Sequence, residues 1–161
     1  MTIKGFFPTG IHPLPAPHVQ AALILPRLNS NGLVSFMIDT GADHTTLSLI
    51  DVERLNLDYR RLKRNSLTGV SGFGGDQRCY RENAIVMLRD EDSKTFYFTI
   101  DIFIPVKGAK RGQREQQRRL LSVLGRDVIH KCEMRLDCQQ GVIELIPPEG
   151  ARVPVAMRRL I

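Results

Sequence analysis

The sequence predicts an all-β domain with a few short helices. Apolar runs of strand length recur along the chain, at residues 19–27, 33–38, 84–88, 95–104 and 142–146. The breaks between them are clusters of turn residues: "NSNG" at 29–32, the glycine-rich "NSLTGVSGFGGDQRCY" at 65–80, and "DCQQG" at 137–141. Helix starts are offered at Asp51 and Arg126, and each has room for only one or two turns before the next break. No internal repeat is visible.

Taken in order, residues 1–18 hold four of the nine prolines, Pro8, Pro13, Pro15 and Pro17. Proline donates no ladder hydrogen bond, so this is expected to be an extended N-terminal arm with little pairing. The domain proper is expected to span 19–147. Residues 19–27 make its first strand, 29–32 a hairpin turn, and 33–38 pairs back and ends at Asp39. Residues 45–50 read as extended, with Asp51 as N-cap of a helix running through Leu55. The glycine-rich 65–80 is a hairpin, and 84–88 and 95–104 are the next strands. A short apolar run at 120–124 stops at Gly125, and 126–131 turns as a helix. Residues 133–136 and 142–146 close the sheet, leaving 148–161 as a C-terminal tail.

Composition bounds the possibilities. A chain of 161 residues that is 42% hydrophobic is one domain's worth of material with enough apolar surface for a core. No run approaches the ~18 apolar residues of a membrane span, and "MTIKGFFPTG" lacks the features of a signal peptide. A cytoplasmic location and no membrane partner are expected. Cys79, Cys132 and Cys138 form no Cys-x-x-Cys pair and have no histidine at zinc-site spacing, so reduced, mostly buried thiols and no metal are expected. The net charge of +6 is local: residues 107–119, "KGAKRGQREQQRR", contain six basic residues and one acidic. With Gly108 and Gly112 inside and no apolar periodicity, this stretch reads as an exposed, mobile loop insertion, and contact there with nucleic acid or an acidic partner is the lesser reading. The cluster at 60–64 alternates with upstream acids and reads as a solvated face.

The chemistry concentrates in "FMIDTGADHTTLS", residues 36–48, where Asp39 follows directly on a buried approach and precedes Thr40-Gly41-Ala42. This loop resembles the active-site loop of aspartic proteases. A glycine-rich hairpin follows about 30 residues on, and "VLGRD" about 80 residues on supplies an apolar run entering a glycine that opens a helix. In that order, the three motifs make residues 19–146 resemble a single-lobed, retropepsin-like protease. The resemblance implies a β-barrel with one or two short helices and a flap hairpin, an aspartic endopeptidase activity on peptide or protein substrates, and no cofactor.

The resemblance also implies roles for individual residues. Hydrolysis of this kind needs two carboxylates about 3 Å apart sharing one proton, since two charges so close cannot both ionise. This chain has one Asp-Thr-Gly; "Asp101-Ile-Phe" and "Asp137-Cys-Gln" lack the Thr and Gly. The second carboxylate would therefore come from a second copy in a C2 homodimer. Asp39 is then the catalytic carboxylate, Thr40 reaches to the partner loop, and Gly41 allows close backbone approach. Ala42 and Asp43 face substrate, with Asp43 also paired to Arg126 beneath the site. Gly125, Arg126 and Asp127 support the loop. Gly72, Phe73 and Gly74 of the flap cover bound peptide, with Phe73 as an apolar lid. His44 is unusual at its position and reads either as an influence on substrate choice or as an exposed loop residue. The arm and tail differ from the short terminal strands with which retroviral enzymes close their dimer.

Two other readings stay open. One is a retropepsin-like module that dimerises and binds peptide without cutting. The other is a nucleotide pyrophosphatase of the deoxyuridine triphosphatase type, to which "SGFGG" bears a faint likeness, although the acidic magnesium-binding context is missing. The flap glycines do not follow Gly-x-Gly-x-x-Gly between a strand and a helix, so a dinucleotide site is a poor reading.

Overall fold

A computed structural model describes residues 1–10, 14–72 and 75–148. Nine strands are present among them: β1 (Ile3–Lys4), β2 (His18–Leu25), β3 (Ser30–Ile38), β4 (Leu67–Gly72), β5 (Gly75–Arg89), β6 (Thr95–Pro105), β7 (Val123–Leu124), β8 (Glu133–Asp137) and β9 (Val142–Ile146). Three short α-helices, α1 (Leu49–Arg54), α2 (Arg111–Arg118) and α3 (Arg126–Ile129), fill the connections. Strands β4-β5-β2-β3-β7 lie side by side with β6 paired to β5, and β1-β9-β8 form a second, smaller sheet. The fold is all-β.

Alternation builds the core. In β2 the inward positions are Val19, Ala21, Leu23 and Leu25; in β3 they are Val34, Phe36 and Ile38. Strand β6 contributes Phe96, Phe98, Ile100, Ile102 and Ile104 from successive even positions, against Ala84, Val86 and Leu88 of β5. Each strand thus buries one face, which fixes its register because a slip of one residue would expose the whole set. Leu47, Val52, Leu124, Val128 and Ile143 close the cluster from the loops, helices and second sheet.

Several elements differ from the sequence expectation for identifiable reasons. The β2–β3 turn lies at 26–29 rather than 29–32: Pro26 starts a 3-10 turn, Asn29 takes a left-handed φ of 52°, and pairing resumes at Ser30. Gly32 is a strand residue, where a Cβ would come within 2.5 Å of the Leu55 side chain. Helix α1 is capped by Ser48, not Asp51; the Ser48 hydroxyl accepts from Asp51 N–H at 3.1 Å, and Asp51 is the third helical residue. The basic segment read as a loop carries α2. Its ties are polar: Gln117 donates to Val106 O at 2.8 Å, and Lys107 and Arg118 converge on Glu53 at 3.6 and 2.9 Å.

The N-terminal arm is joined to the body at its start. Ile3 is buried and pairs with Leu145, and Phe6 bridges His18, the first residue of β2. Residues 11–13 and the tail beyond Pro148 lie outside the described residues. No helix among the described residues is long and apolar enough to cross a membrane.

The sequence reading had the cysteines mostly buried, and the three differ in depth. Cys79 is buried, Cys132 half-buried and Cys138 exposed, with no disulfide between them. Burial pushes the Cys79 and Cys132 thiols up to about 11. At pH 8 a thiol-reactive dye should therefore label Cys138 rapidly, and label Cys79 only at the rate of unfolding, because the thiolate is the nucleophile. Mass spectrometry of the peptides after a time course reads the order directly.

Candidate active site

Asp39 is delivered by β3 at the point where that strand leaves its parallel neighbour β7. Met37 and Ile38 pair with Val123 and Leu124, and Asp39 N–H donates to Leu124 O at 3.2 Å. Because Phe36, Ile38 and Leu124 are all buried, the strand end cannot drift. The half-buried Asp39 carboxylate is then held by its own loop. Gly41 N–H donates to Oδ1 at 2.8 Å, and Ala42 N–H to the Asp39 carbonyl at 3.2 Å. A Cβ on Gly41 would stand 3.1 Å from that same Oδ1, so a side chain there would press on the oxygen being oriented.

The far half of the loop is bolted to the segment before and within α3. Arg126 N–H donates to Ala42 O at 2.8 Å, and Asp127 N–H to Asp43 O at 3.3 Å. In return, both oxygens of Asp127 serve Thr45: Oδ2 accepts its N–H at 3.0 Å and Oδ1 its hydroxyl at 2.7 Å. The Thr45 hydroxyl also accepts from Gly125 N–H at 3.1 Å, and Thr45 is fully buried. Any Cβ on Gly125 would lie 2.4–2.9 Å from the His44 backbone, which cannot retreat without breaking these bonds. The packing therefore demands glycine at 125.

Asp43 pairs with Arg126, but at the surface rather than beneath the site, the two side chains being 68% and 41% exposed. An exposed pair of this kind contributes about 0–1 kcal/mol. The buried tie is Thr45 with Asp127. Sequence reasoning placed Asp127 among the residues that support the loop but missed its partner Thr45, whose burial no local pattern signals. His44, exposed, stacks on Phe103 with ring centroids 4.5 Å apart and planes 27° from parallel.

Strands β4 and β5 form the flap arm, in register to Gly72 opposite Gly75, with Ser71 donating to Asp76 at 2.6 Å near the end. Phe73 and Gly74 lie outside the described residues. The other carboxylates considered above are engaged elsewhere: Asp101 faces Arg81 at 3.7 Å, and Asp137 accepts from Gln139 and Gln140 N–H at 2.9 and 3.0 Å. Among the described residues no group of three or more His, Cys, Asp or Glu side chains is arranged to hold a metal ion.

A family model described as retroviral aspartyl protease matches residues 17–137. The chain belongs to this family. The matched span runs from the end of the arm through β8 and contains Asp39, the flap strands and Gly125 to Asp127. Among solved structures, a retropepsin-like aspartic protease from Rickettsia conorii is similar in fold, with a TM-score of 0.52 at 18% identity, covering 90% of this chain and 97% of that one. No curated protein matches. Asp39 lies within the matched span, on the anchored loop between β3 and α1.

The two loop ties should separate in a stability experiment. Asp127→Ala strands the buried Thr45 N–H and hydroxyl and should cost about 1–3 kcal/mol. Arg126→Ala removes a solvent-screened pair and should cost about 0–1 kcal/mol. Urea titrations of both variants test this, and equal losses would put the anchor elsewhere.

Proposed function

We propose that two copies of this chain form one aspartic endopeptidase site, in which the Asp39 carboxylates of the two protomers share a proton and activate a water against a peptide bond. The observation that carries the reading is the anchored, half-buried Asp39 of the single Asp-Thr-Gly, oriented by Gly41 N–H. Two others support it. Thr40 is exposed and its side chain donates no hydrogen bond among the described residues, which leaves its hydroxyl available to a facing loop. Strands β4 and β5 pair in register as far as Gly72 opposite Gly75, and in this reading that arm covers bound peptide.

In this reading the ionised member of the dyad takes a proton from the water, which attacks the scissile carbonyl. The protonated member donates a hydrogen bond to the carbonyl oxygen as charge develops there. Ala42 and Asp43 meet the substrate backbone, and Gly72, Phe73 and Gly74 close over it. Gly125, Arg126 and Asp127 hold the loop in place.

Replacing the base tests the mechanism. Asp39→Asn should lower peptide cleavage by ~10²-fold or more, with circular dichroism and sedimentation unchanged from the native chain. When native and Asp39→Asn chains are refolded together with native fraction f, activity should follow f², because both protomers must carry the carboxylate. Activity that scales linearly with f after subunit exchange is shown would mean that each chain holds a complete site.

The pH profile is a separate check. One proton must stay on the dyad, so the rate should fall on both sides of an acidic maximum: at low pH as the base is protonated, and toward neutrality and above as the shared proton is lost. A rate still rising through alkaline pH would exclude a shared-proton dyad.

A further inference from the structure

Two concave regions of the surface are continuous. One, of about 380 Å³, begins at His44 and Phe103, immediately beyond the Asp39 loop, and passes the base of β4 at Leu67 and Thr68. The other, of about 420 Å³, ends at Pro26, Arg27 and Lys63 on the outer side of the flap root. Asn65, Ser66, Arg81 and Asp101 line both. The result is a single groove leading away from the active-site loop, under the root of the flap, to the β2–β3 turn.

The charges in the groove are unevenly committed. Glu82 is 6% exposed and fully engaged by Arg27, whose guanidinium also donates to Arg61 O. That acid is therefore neutralised. Asp101 faces Arg81 at 3.7 Å with both side chains more than half exposed, a loose pair from which Arg81 is free to turn. Lys63 at the far end makes no ion pair among the described residues, and neither does its neighbour Arg64. Asn65 and Asn83 add side-chain amides with no partner among the described residues. What the groove offers an occupant is thus one unpaired cation, Lys63, and a second, Arg81, held only loosely by Asp101, together with hydrogen-bonding side chains on a lining that is part polar and part apolar.

We propose that this groove binds an acidic segment of the substrate chain flanking the cleaved region, so that the enzyme selects substrates carrying Asp or Glu several residues from the scissile bond. The inference rests on the protease reading and extends it to substrate class. The His44–Phe103 stack forms the threshold between the catalytic loop and the groove, which an extended peptide must cross before an acidic residue reaches Arg81 and Lys63.

The test uses a peptide that the native chain cleaves, found by library digestion, and versions lengthened at either end with Asp-Glu or with Lys-Lys residues. One acidic extension should lower KM by about two- to fivefold relative to the unextended peptide, the range of one or two solvent-exposed charge contacts. The Lys-Lys extension should give no gain, and raised salt should erase the acidic advantage. In Lys63→Glu the ratio of the two KM values should fall to one or invert, and Arg81→Ala should reduce it. Equal KM values for all lengthened peptides, or a ratio untouched by Lys63→Glu, overturn the groove while leaving the protease intact. A chain that cuts none of them overturns the protease reading instead. Binding of the same peptides, fluorescently labelled, to the Asp39→Asn protein then decides the groove, with tighter binding of the acidic peptide supporting it and equal binding overturning it.

Discussion

The Asp127 carboxylate reaching across to Thr45 is the contact on which the geometry of the candidate site depends. It satisfies a buried N–H and a buried hydroxyl at once, and that hydroxyl in turn receives Gly125 N–H. Three backbone stretches that would otherwise be a mobile loop, a strand end and a helix start become one unit. Unsatisfied, those groups would each cost the penalty of a buried polar atom, so the arrangement is strongly preferred over partial versions of itself. The Asp39 carboxylate inherits that rigidity through Ala42 and the short return to β3.

The flap shows the opposite design within the same sheet. Strand β5 is one continuous run, yet its two halves have different surroundings. From Ala84 onward its inward residues are buried against β2 and β6, its pairing with β6 ends at Cys79, and from Tyr80 back to Gly75 it is paired with β4. Three residues before that pairing ends, at Glu82, Arg27 grips the strand from the β2–β3 turn and Arg61 donates to the carbonyls of Arg27 and Leu28. Breaking a buried pair leaves an uncompensated charge and costs several kcal/mol, on the order of 3–5. Motion of the flap arm is therefore expected to begin beyond this clamp and leave the core half of β5 in place, as lid motions require.

Legibility in the sequence followed the distance over which each feature is determined. The Asp39 loop and Gly125 were readable because the motif is local and the glycine's neighbours are dictated by it. Thr45 and its tie to Asp127 were not, since an aspartate after Gly-Arg looks the same whether it caps a helix or reaches a residue 82 positions away. The Asp43–Arg126 pairing was legible but its exposure was not, because depth depends on what covers the loop. Helix α2 hid for a similar reason: it has no apolar stripe, and its supports are Glu53 on α1 and the Val106 carbonyl, both tertiary. The two misplaced boundaries were contests between competent residues. Pro26 outweighed Asn31-Gly32 as the turn signal, and Ser48 preceded Asp51 as the cap.

On the proposed mechanism, a single chain completes everything except the reaction. The hydrophobic cluster is closed by residues from β1 through β9, and the loop is anchored by hydrogen bonds made within one protomer. On the proposed mechanism, association then has only one chemical task, to set a second Asp39 against the first. Because each carboxylate is already held by Gly41 N–H and the Asp127 tie, little loop ordering is left for the moment of assembly. Preorganised groups bind and catalyse at lower entropic cost than groups ordered on demand. If the proposed mechanism holds, a half-site built this way keeps folding independent of protomer concentration and makes activity alone depend on it, so that dilution would silence the carboxylates without unfolding the chains that carry them.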